Sequence, residues 1–348
     1  MKRKSKLLLP LSWLYKAGII IHNNIYHWGW KKTTRFDLPV ICVGNLSVGG
    51  TGKTPMVEYL LRLLTPHYEI ATISRGYKRE TTGMLIANKN TTAAEIGDEP
   101  LQFYSKFPET KVVVAERRVE AINTAMQQFP SIDVIILDDA FQHRTVVAGL
   151  NILLTEYSNL FVNDFYLPAG QLRDLKSNYK KAQVIVVTKC PPNLTVVQKN
   201  QVISQIGLQA FQQIFFTCIQ YGQLYGIFNL EEKALQDVQN ALVVTGIANP
   251  DPLLDHLKRH DISFSIISFS DHHKFSQNDI NTVKSAFETM KQQNKIIITT
   301  EKDAMRLRGF KHSLQEFPVF AIPVAHRFLF EETDVFNNIV YRFIQNKN

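Results

Sequence analysis

A chain of 348 residues, 45% hydrophobic and 20% charged, has material for one large or two ordinary cores, and this composition excludes a disordered protein. A net charge of +8 would ordinarily suggest nucleic acid, but eight of the 39 basic residues precede the first acid, Asp37, and the 31 that remain match the 31 acids. The excess is an N-terminal feature, so no nucleic-acid partner is expected. Three scattered cysteines, Cys42, Cys190 and Cys218, form no C-x-x-C pair or disulfide framework, which fits a reducing compartment.

The first segment in chain order is "MKRKSKLLLPLSWLYKAGIIIHNNIYHWGWKK". Its apolar part, residues 7–21, is interrupted by Pro10 and Lys16 and falls short of the roughly 20 residues a spanning helix needs. Lys16 and the want of a small-x-small cleavage site also argue against a signal peptide. Trp13, Tyr15, Tyr26, Trp28 and Trp30, with Lys2, Arg3, Lys4 and Lys6 beside them, favour reading residues 1–35 as a helical segment lying on a membrane surface. The alternative is an ordinary helix packed on the domain.

Beyond it, short apolar runs alternate with helical patterns, which predicts an α/β fold with a mostly parallel sheet. The predicted strands are "PVICVG", "EIATIS", "KVVVAE", "DVIILDD", "NILLTE", "QVIVVTK" and "FFTCIQY". After the polar stretch "NLEEKALQD" the pattern restarts with "ALVVTGIANP", "FSIISFS", "KIIITTEKD" and "PVFAIPV". The expected division is a core over residues 36–234 and a smaller α/β domain over residues 235–348.

"VGNLSVGGTGKTP", residues 43–55, joins the first strand to a helical pattern and reads as a phosphate-binding loop. Gly49, Gly50 and Gly52 remove side chains where backbone N–H groups must wrap phosphate oxygens, with Ser47, Val48 and Thr51 completing the wall. Lys53 would reach the β- and γ-phosphates and Thr54 would hold Mg²⁺ at the first turn of the helix, where Pro55 is also tolerated. The usual spacing G-x-x-x-x-G-K-[ST] would put a glycine at position 47, so Gly44 or Gly49 is expected to supply the freedom that Ser47 lacks.

A second strand ends in "VIILDDAFQH", so that Asp138 and Asp139 are placed as the acids that hold the metal of such a loop, directly or through water; Gln142 and His143 follow, the histidine in a structural role. In "EIGDEPLQF", Asp98 stands before Pro100 at the expected start of a helix, where an N-cap alone would account for it. "FSDHHKF" sets Asp271, His272 and His273 after a strand, a place where a carboxylate can orient an imidazole.

These motifs, together with "ISRGYKR", "AERR", "LPAGQLRD", "VVTGIANP" and "TEKDAMRL", resemble in their order, over nearly the whole chain, the tetraacyldisaccharide 4′-kinase (lipid A 4′-kinase) family. That family carries a serine or threonine near the position of Ser47. The resemblance implies a P-loop NTPase-like fold and an ATP- and Mg²⁺-dependent kinase. Its acceptor would be the 4′-hydroxyl of a tetraacyl disaccharide 1-phosphate in lipid A biosynthesis. It would work as a peripheral or monotopic protein on the cytoplasmic face of the bacterial inner membrane. The lipid and the membrane surface are then the partners, with no obligate protein partner evident. The resemblance makes Asp98 the general base for the sugar hydroxyl, with His272, in preference to His273, orienting it or tuning its pKa; Lys53 serves ATP. Arg117 or Arg118, and Arg173, are candidates for contacts with phosphates. Where the family usually has Arg-Glu, this chain has Arg173-Asp174, which puts a ligand role for Asp174 in doubt. Lys302 and Asp303 end a strand, where nucleotide contact and a structural ion pair both suit them. The competing reading is a membrane-positioning ATPase switch with a deviant Walker A loop. Such loops have lysine where this chain has Val48, and that reading leaves "GDEP" and "DHH" without a purpose.

Overall fold

The computed structural model describes residues 6–28, 31–229 and 231–346. Lys2, Arg3, Lys4 and Trp30 lie outside the described residues. The strands in chain order are β1 (Val40–Asn45), β2 (Ile70–Ser74), β3 (Leu85–Ile86), β4 (Lys111–Val114), β5 (Val134–Asp138), β6 (Leu150–Glu156), β7 (Val184–Thr188), β8 (Gln213–Tyr221), β9 (Leu224–Gly226), β10 (Glu232–Lys233), β11 (Asn240–Thr245), β12 (Ser263–Ser268), β13 (Lys295–Thr300), β14 (Val319–Ile322) and β15 (Val324–Phe328).

Nine of them form a sheet in the order β15, β8, β7, β6, β1, β5, β2, β4, β3. Every pairing from β8 to β4 is parallel, and the two outermost strands are antiparallel. Every residue of β1, β2, β5 and β7 is buried, which is why these strands read as unbroken apolar runs: both faces are covered. From β1 the chain passes toward β2 on one side, and from β6 toward β7 on the other. The loop after β1 therefore opens at the point where strand order reverses, where ligands of such sheets lodge.

The helix Lys53–Leu64 buries Met56, Val57, Leu60, Leu61 and Leu64, a single stripe at helical spacing. Each fully buried aliphatic side chain contributes about 2 kcal/mol. The helix Thr333–Gln345 buries Phe336, Val340 and Ile344 into the same layer, where Phe336 meets Phe215 edge-on at 5.4 Å between ring centres.

The second sheet has the order β10, β9, β14, β13, β11, β12. Its core takes in Ile96, Leu101 and Val114 from the first half of the chain, so the helix Asp98–Lys106 is packed between the two sheets. The division expected at residue 235 is crossed twice. Strands β9 and β10, which both precede it, join the second sheet, while β15 and the helix Thr333–Gln345 return to the first. A short strand such as "VAHRF", with charged and polar positions, carries too little apolar signal to show this return.

A knot of charge joins the halves. Lys106 Nζ lies 2.5 Å from Glu58 Oε2 and 2.7 Å from Glu301 Oε1, and Gln102 donates to Glu58 at 2.7 Å. Glu58 is on the loop's helix, Gln102 and Lys106 are on the helix of Asp98, and Glu301 begins the helix Glu301–Leu307 of the second sheet. Burial, with Glu301 beside it, pushes the Glu58 carboxyl up to about 7 against the pull of Lys106.

The N-terminal helix runs from Leu9 to His27. It docks through buried Ser12, whose hydroxyl donates to the Tyr166 carbonyl at 2.9 Å and accepts from the Ala169 N–H at 3.1 Å. Leu11, Trp13, Leu14, Ile20 and Ile21 are exposed on its outer side. Among the described residues no helix is long and apolar enough to cross a membrane.

Candidate active site

The loop from Leu46 to Gly52 is shaped by backbone conformation and by a strap lying along it. Gly49 and Gly52 have φ of +111° and +88°, where a side chain is strained. Ser47 needs no such freedom: it bridges antiparallel to Leu172, while Val48 N–H donates to the Gln171 carbonyl at 2.8 Å. This explains the missing glycine at position 47. Gly44 serves proximity instead, since a Cβ there would stand 2.6 Å from Phe141 Cβ.

Side chains pin the loop from beneath. Asn45 Nδ2 donates to Thr51 Oγ1 at 2.8 Å, Thr188 Oγ1 donates to the Thr51 carbonyl at 2.8 Å, and His326 Nε2 meets the Gly52 carbonyl at 2.8 Å. A carbonyl only accepts, so Nε2 carries the proton and Nδ1 accepts from the Thr217 hydroxyl at 3.0 Å. Burial pushes His326 down to about 4, so the ring is neutral at physiological pH.

Asp138 ends β5, next to β1, and Asp139 follows in a left-handed conformation with φ +50°. The turn separates their fates. Arg173 grips Asp139 with both terminal nitrogens, Nη1 to Oδ2 at 3.1 Å, and reaches Asn45 Oδ1 at 2.7 Å with Nη2; Lys53 Nζ stands 3.7 Å from Asp139 Oδ1. Burial alone would raise the Asp139 carboxyl, but Lys53 and Arg173 hold it below the usual carboxylate value. Asp138 is buried with no hydrogen-bond partner on Oδ1. Its burial, then Glu99 and Asp139, push it up to about 8 against Lys53 and Arg118. The two adjacent carboxylates are held differently: Asp139 is paired with Lys53 and Arg173, and Asp138 is buried with Oδ1 unpartnered. Among the described residues no three His, Cys, Asp or Glu side chains gather as a metal site.

Opposite lies the second cluster. The expected N-cap role of Asp98 is not what the structure has: the cap position is Gly97, Asp98 is the first helical residue, and no side-chain cap bond is made. The φ of +94° at Gly97 turns the chain into the helix, and the Asp98 carboxylate points to the second sheet instead. Its Oδ2 lies 3.4 Å from His272 Nδ1 and 3.4 Å from Arg306 Nε, while Oδ1 makes no hydrogen bond among the described residues. These contacts are looser than a direct hydrogen bond, as is common before a reactive complex tightens them. Tyr77 stands edge-on to His272 at 5.3 Å, and a small cleft runs between Tyr77, Asp98, Glu99, Pro100 and His272.

His273 has a different task. Its Nε2 is 3.0 Å from Asp279 and its ring stacks on Phe269 at 4.5 Å, within the capping box that Ser276 and Asp279 form. The two arginines of "AERR" also part. Arg117 is in solvent beside Glu120, whereas Arg118 is buried, bonds the Ala115 carbonyl and acts on Asp138. Asp174 accepts from Leu175 N–H at 2.8 Å and Asn178 Nδ2 at 2.6 Å, a turn-forming role. Gln142 donates to the Asn45 carbonyl at 2.7 Å. His143 Nε2 is buried without a partner, and burial pushes its ring down to about 4.

Sequence reasoning did not single out Glu99, Arg306, Thr188 or His326. Glu99 adjoins Asp98 inside "GDEP", and Arg306 lies one helical turn from Lys302 and is held by fully buried Asp303, so the spacing of "TEKDAMRL" was a usable signal. His326 stands alone in its strand and gave none.

A cavity of about 360 Å³ lies between the N-terminal helix, which lines it with Tyr15, Ile19 and His22, and the residues Gln142, Arg173 and Asp174.

A loop that presents backbone amides at a sheet's switch point, acids on the next strand and an opposed carboxylate are the parts of a nucleotide-dependent phosphotransferase of the P-loop class. The comparison with known proteins is more specific. The family model described as tetraacyldisaccharide-1-P 4′-kinase matches residues 4–345. A tetraacyldisaccharide 4′-kinase of Bacteroides fragilis is 40% identical over 351 residues, covering 98% of this chain and 93% of its own. One from Flavobacterium johnsoniae is 43% identical over 325 residues, 93% of each. LpxK from Aquifex aeolicus, solved in complex with ATP, superposes with a TM-score of 0.75 at 30% identity, over 97% of this chain and 98% of that one. The chain belongs to the tetraacyldisaccharide-1-phosphate 4′-kinase family, and is a kinase.

Proposed function

We propose that the chain moves the γ-phosphoryl group of ATP to the 4′-hydroxyl of a tetraacyl disaccharide 1-phosphate, with the residues of the two clusters in separate roles. Loop amides other than that of Val48, which is bound to the Gln171 carbonyl, hold the triphosphate together with Lys53. Thr54 with Asp138, whose buried Oδ1 lacks a partner, would hold Mg²⁺, and Asp139 keeps Lys53 and Arg173 in place. The ion would supply neutralisation of charge on the phosphates. Asp98 Oδ1 accepts the proton of the sugar hydroxyl as that oxygen bonds to phosphorus and the bond from phosphorus to the β-phosphate oxygen breaks, releasing ADP. His272 and Arg306 hold Oδ2 of the same carboxylate from behind. Arg118 adds positive charge near Asp138, and Arg173, which lines the cavity beside the N-terminal helix, would meet a substrate phosphate.

The observation that carries this reading is that Asp98 Oδ1 makes no hydrogen bond among the described residues, in a carboxylate withdrawn from capping and backed by the second sheet. The exposed Leu11, Trp13, Leu14, Ile20 and Ile21 suit a helix laid on the cytoplasmic face of the inner membrane, where a four-chain lipid resides. The test is transfer of labelled γ-phosphate from ATP to tetraacyl disaccharide 1-phosphate in detergent micelles with Mg²⁺. Lipid product from wild type, lost in Lys53→Ala, supports it; ATP hydrolysis with no lipid product overturns it in favour of a nucleotide switch.

A further inference from the structure

Lys302 lies between residues of both halves. Its Nζ is 3.1 Å from His272 Nε2 and 3.3 Å from Glu99 Oε1. An ammonium group only donates, so contact with Nε2 requires the lone pair of that nitrogen. A neutral imidazole has one proton to place, and the hydrogen bond at one nitrogen decides where it goes. With Nε2 accepting, the proton is on Nδ1, the atom that faces Asp98 Oδ2 at 3.4 Å. The other groups around the ring do not reverse this. Asp271 Oδ1 is 3.9 Å from Nε2, outside hydrogen-bond reach, and half exposed. Arg306 addresses Asp98 and the His273 carbonyl, and Tyr77 meets the ring by its edge. The backbone is fixed as well, by φ +59° at His272 and by its N–H donating to the Gly246 carbonyl at 3.0 Å.

We propose that Lys302 is a positioning residue that fixes His272 as its Nδ1–H tautomer, so that the ring donates to Asp98 and accepts no proton at Nε2. The sequence neighbours Asp98 and Glu99 are then engaged side by side, one by His272 and one by Lys302. This deepens the assignment of Asp98 as base and rests on it for its consequence in the reaction. The hydroxyl proton ends on Asp98 and is not relayed to His272, because Nδ1 already holds a proton and Nε2 is covered by an ammonium whose charge Glu99 offsets.

The experiment is a long-range ¹H–¹⁵N correlation spectrum of the full chain labelled with ¹⁵N-histidine, in micelles at pH 8, with the His272 signals identified by their loss in His272→Gln. The expected wild-type pattern is a protonated Nδ1 and an unprotonated Nε2. Lys302→Arg, which also only donates, keeps that pattern and stays within about threefold of wild-type kcat. Lys302→Met moves the proton toward Nε2 and lowers kcat about tenfold with KM for ATP unchanged, the direction expected when a positioned proton-transfer group is loosened. A wild-type His272 protonated on Nε2, or a Lys302→Met protein that keeps Nδ1–H, overturns the proposal. The wild-type spectrum decides it even where the methionine variant does not fold. Absence of lipid phosphorylation with the expected tautomer would defeat the function and leave the role of Lys302 standing.

Discussion

The two halves of the site are built in contrasting ways. The half proposed to bind phosphate is a single run of backbone, residues 43–54, held by local turns and by a few hydrogen bonds from Asn45, Thr188 and His326. The half proposed to handle the proton is not local in sequence. Asp98 and Glu99 face His272, Lys302 and Arg306, which arrive on a different sheet more than 170 residues later in the chain. Backbone suits a ligand whose phosphates are the same in every cycle. Side chains drawn from two sheets suit a step whose geometry must be completed by an acceptor.

The largest expected effect breaks the first half. Lys53→Ala should lower lipid phosphorylation by about 10²–10³-fold, the scale of removing a charged donor from developing phosphate charge, and should weaken ATP binding as well. A transfer assay paired with ATP titration reads both. Breaking the second half at His272 should cost less: His272→Ala is expected to lower kcat about 10–100-fold with ATP binding unchanged, whereas His273→Ala should leave kcat near wild type and lower the melting temperature, because its partners are Asp279 and Phe269.

The joint between the halves is tested by Lys106→Met, which leaves Glu58 and Glu301 facing each other in a buried place. A loss of about 3–5 kcal/mol in urea unfolding is expected, with partial recovery in Glu58→Gln/Lys106→Met. A smaller effect is the pH dependence that His326 imposes. Its folded value of about 4 lies below the ordinary 6.5, so between those limits the unfolded chain binds the extra proton. Stability should therefore fall as pH drops from about 6.5 to about 4, by about 3 kcal/mol from this ring, and His326→Gln should flatten the slope by that amount; His143 and His256, both pushed down to about 4 by burial, act in the same window. The smallest effect is that of Arg117→Ala, which should leave the melting temperature and kcat unchanged, since Arg117 and Glu120 are both solvent-exposed.

The same contrast explains what could be read from the chain. The parallel strands announced themselves because both their faces are buried, and the loop did so because its chemistry is contiguous. Strand β15 did not: "VAHRF" alternates too briefly, and its placement beside β8 depends on pairing with residues a hundred positions earlier. At Asp98 the propensity rule for caps pointed the wrong way, because Gly97 takes the cap and tertiary partners take the carboxylate. The separation of His272 from His273 depends on which face of one turn each ring occupies, and adjacent residues of a loop carry no periodicity from which that could be inferred.

The most direct test measures ATP affinity and the single-turnover rate of phosphate transfer to the lipid together in Asp98→Asn. The predicted result is an ATP dissociation constant within about twofold of wild type and a transfer rate lower by about 10²–10⁴-fold, the contribution of a positioned general base. Transfer within about threefold of wild type would contradict the assignment of the proton to Asp98 and, with it, the division of the site into two halves.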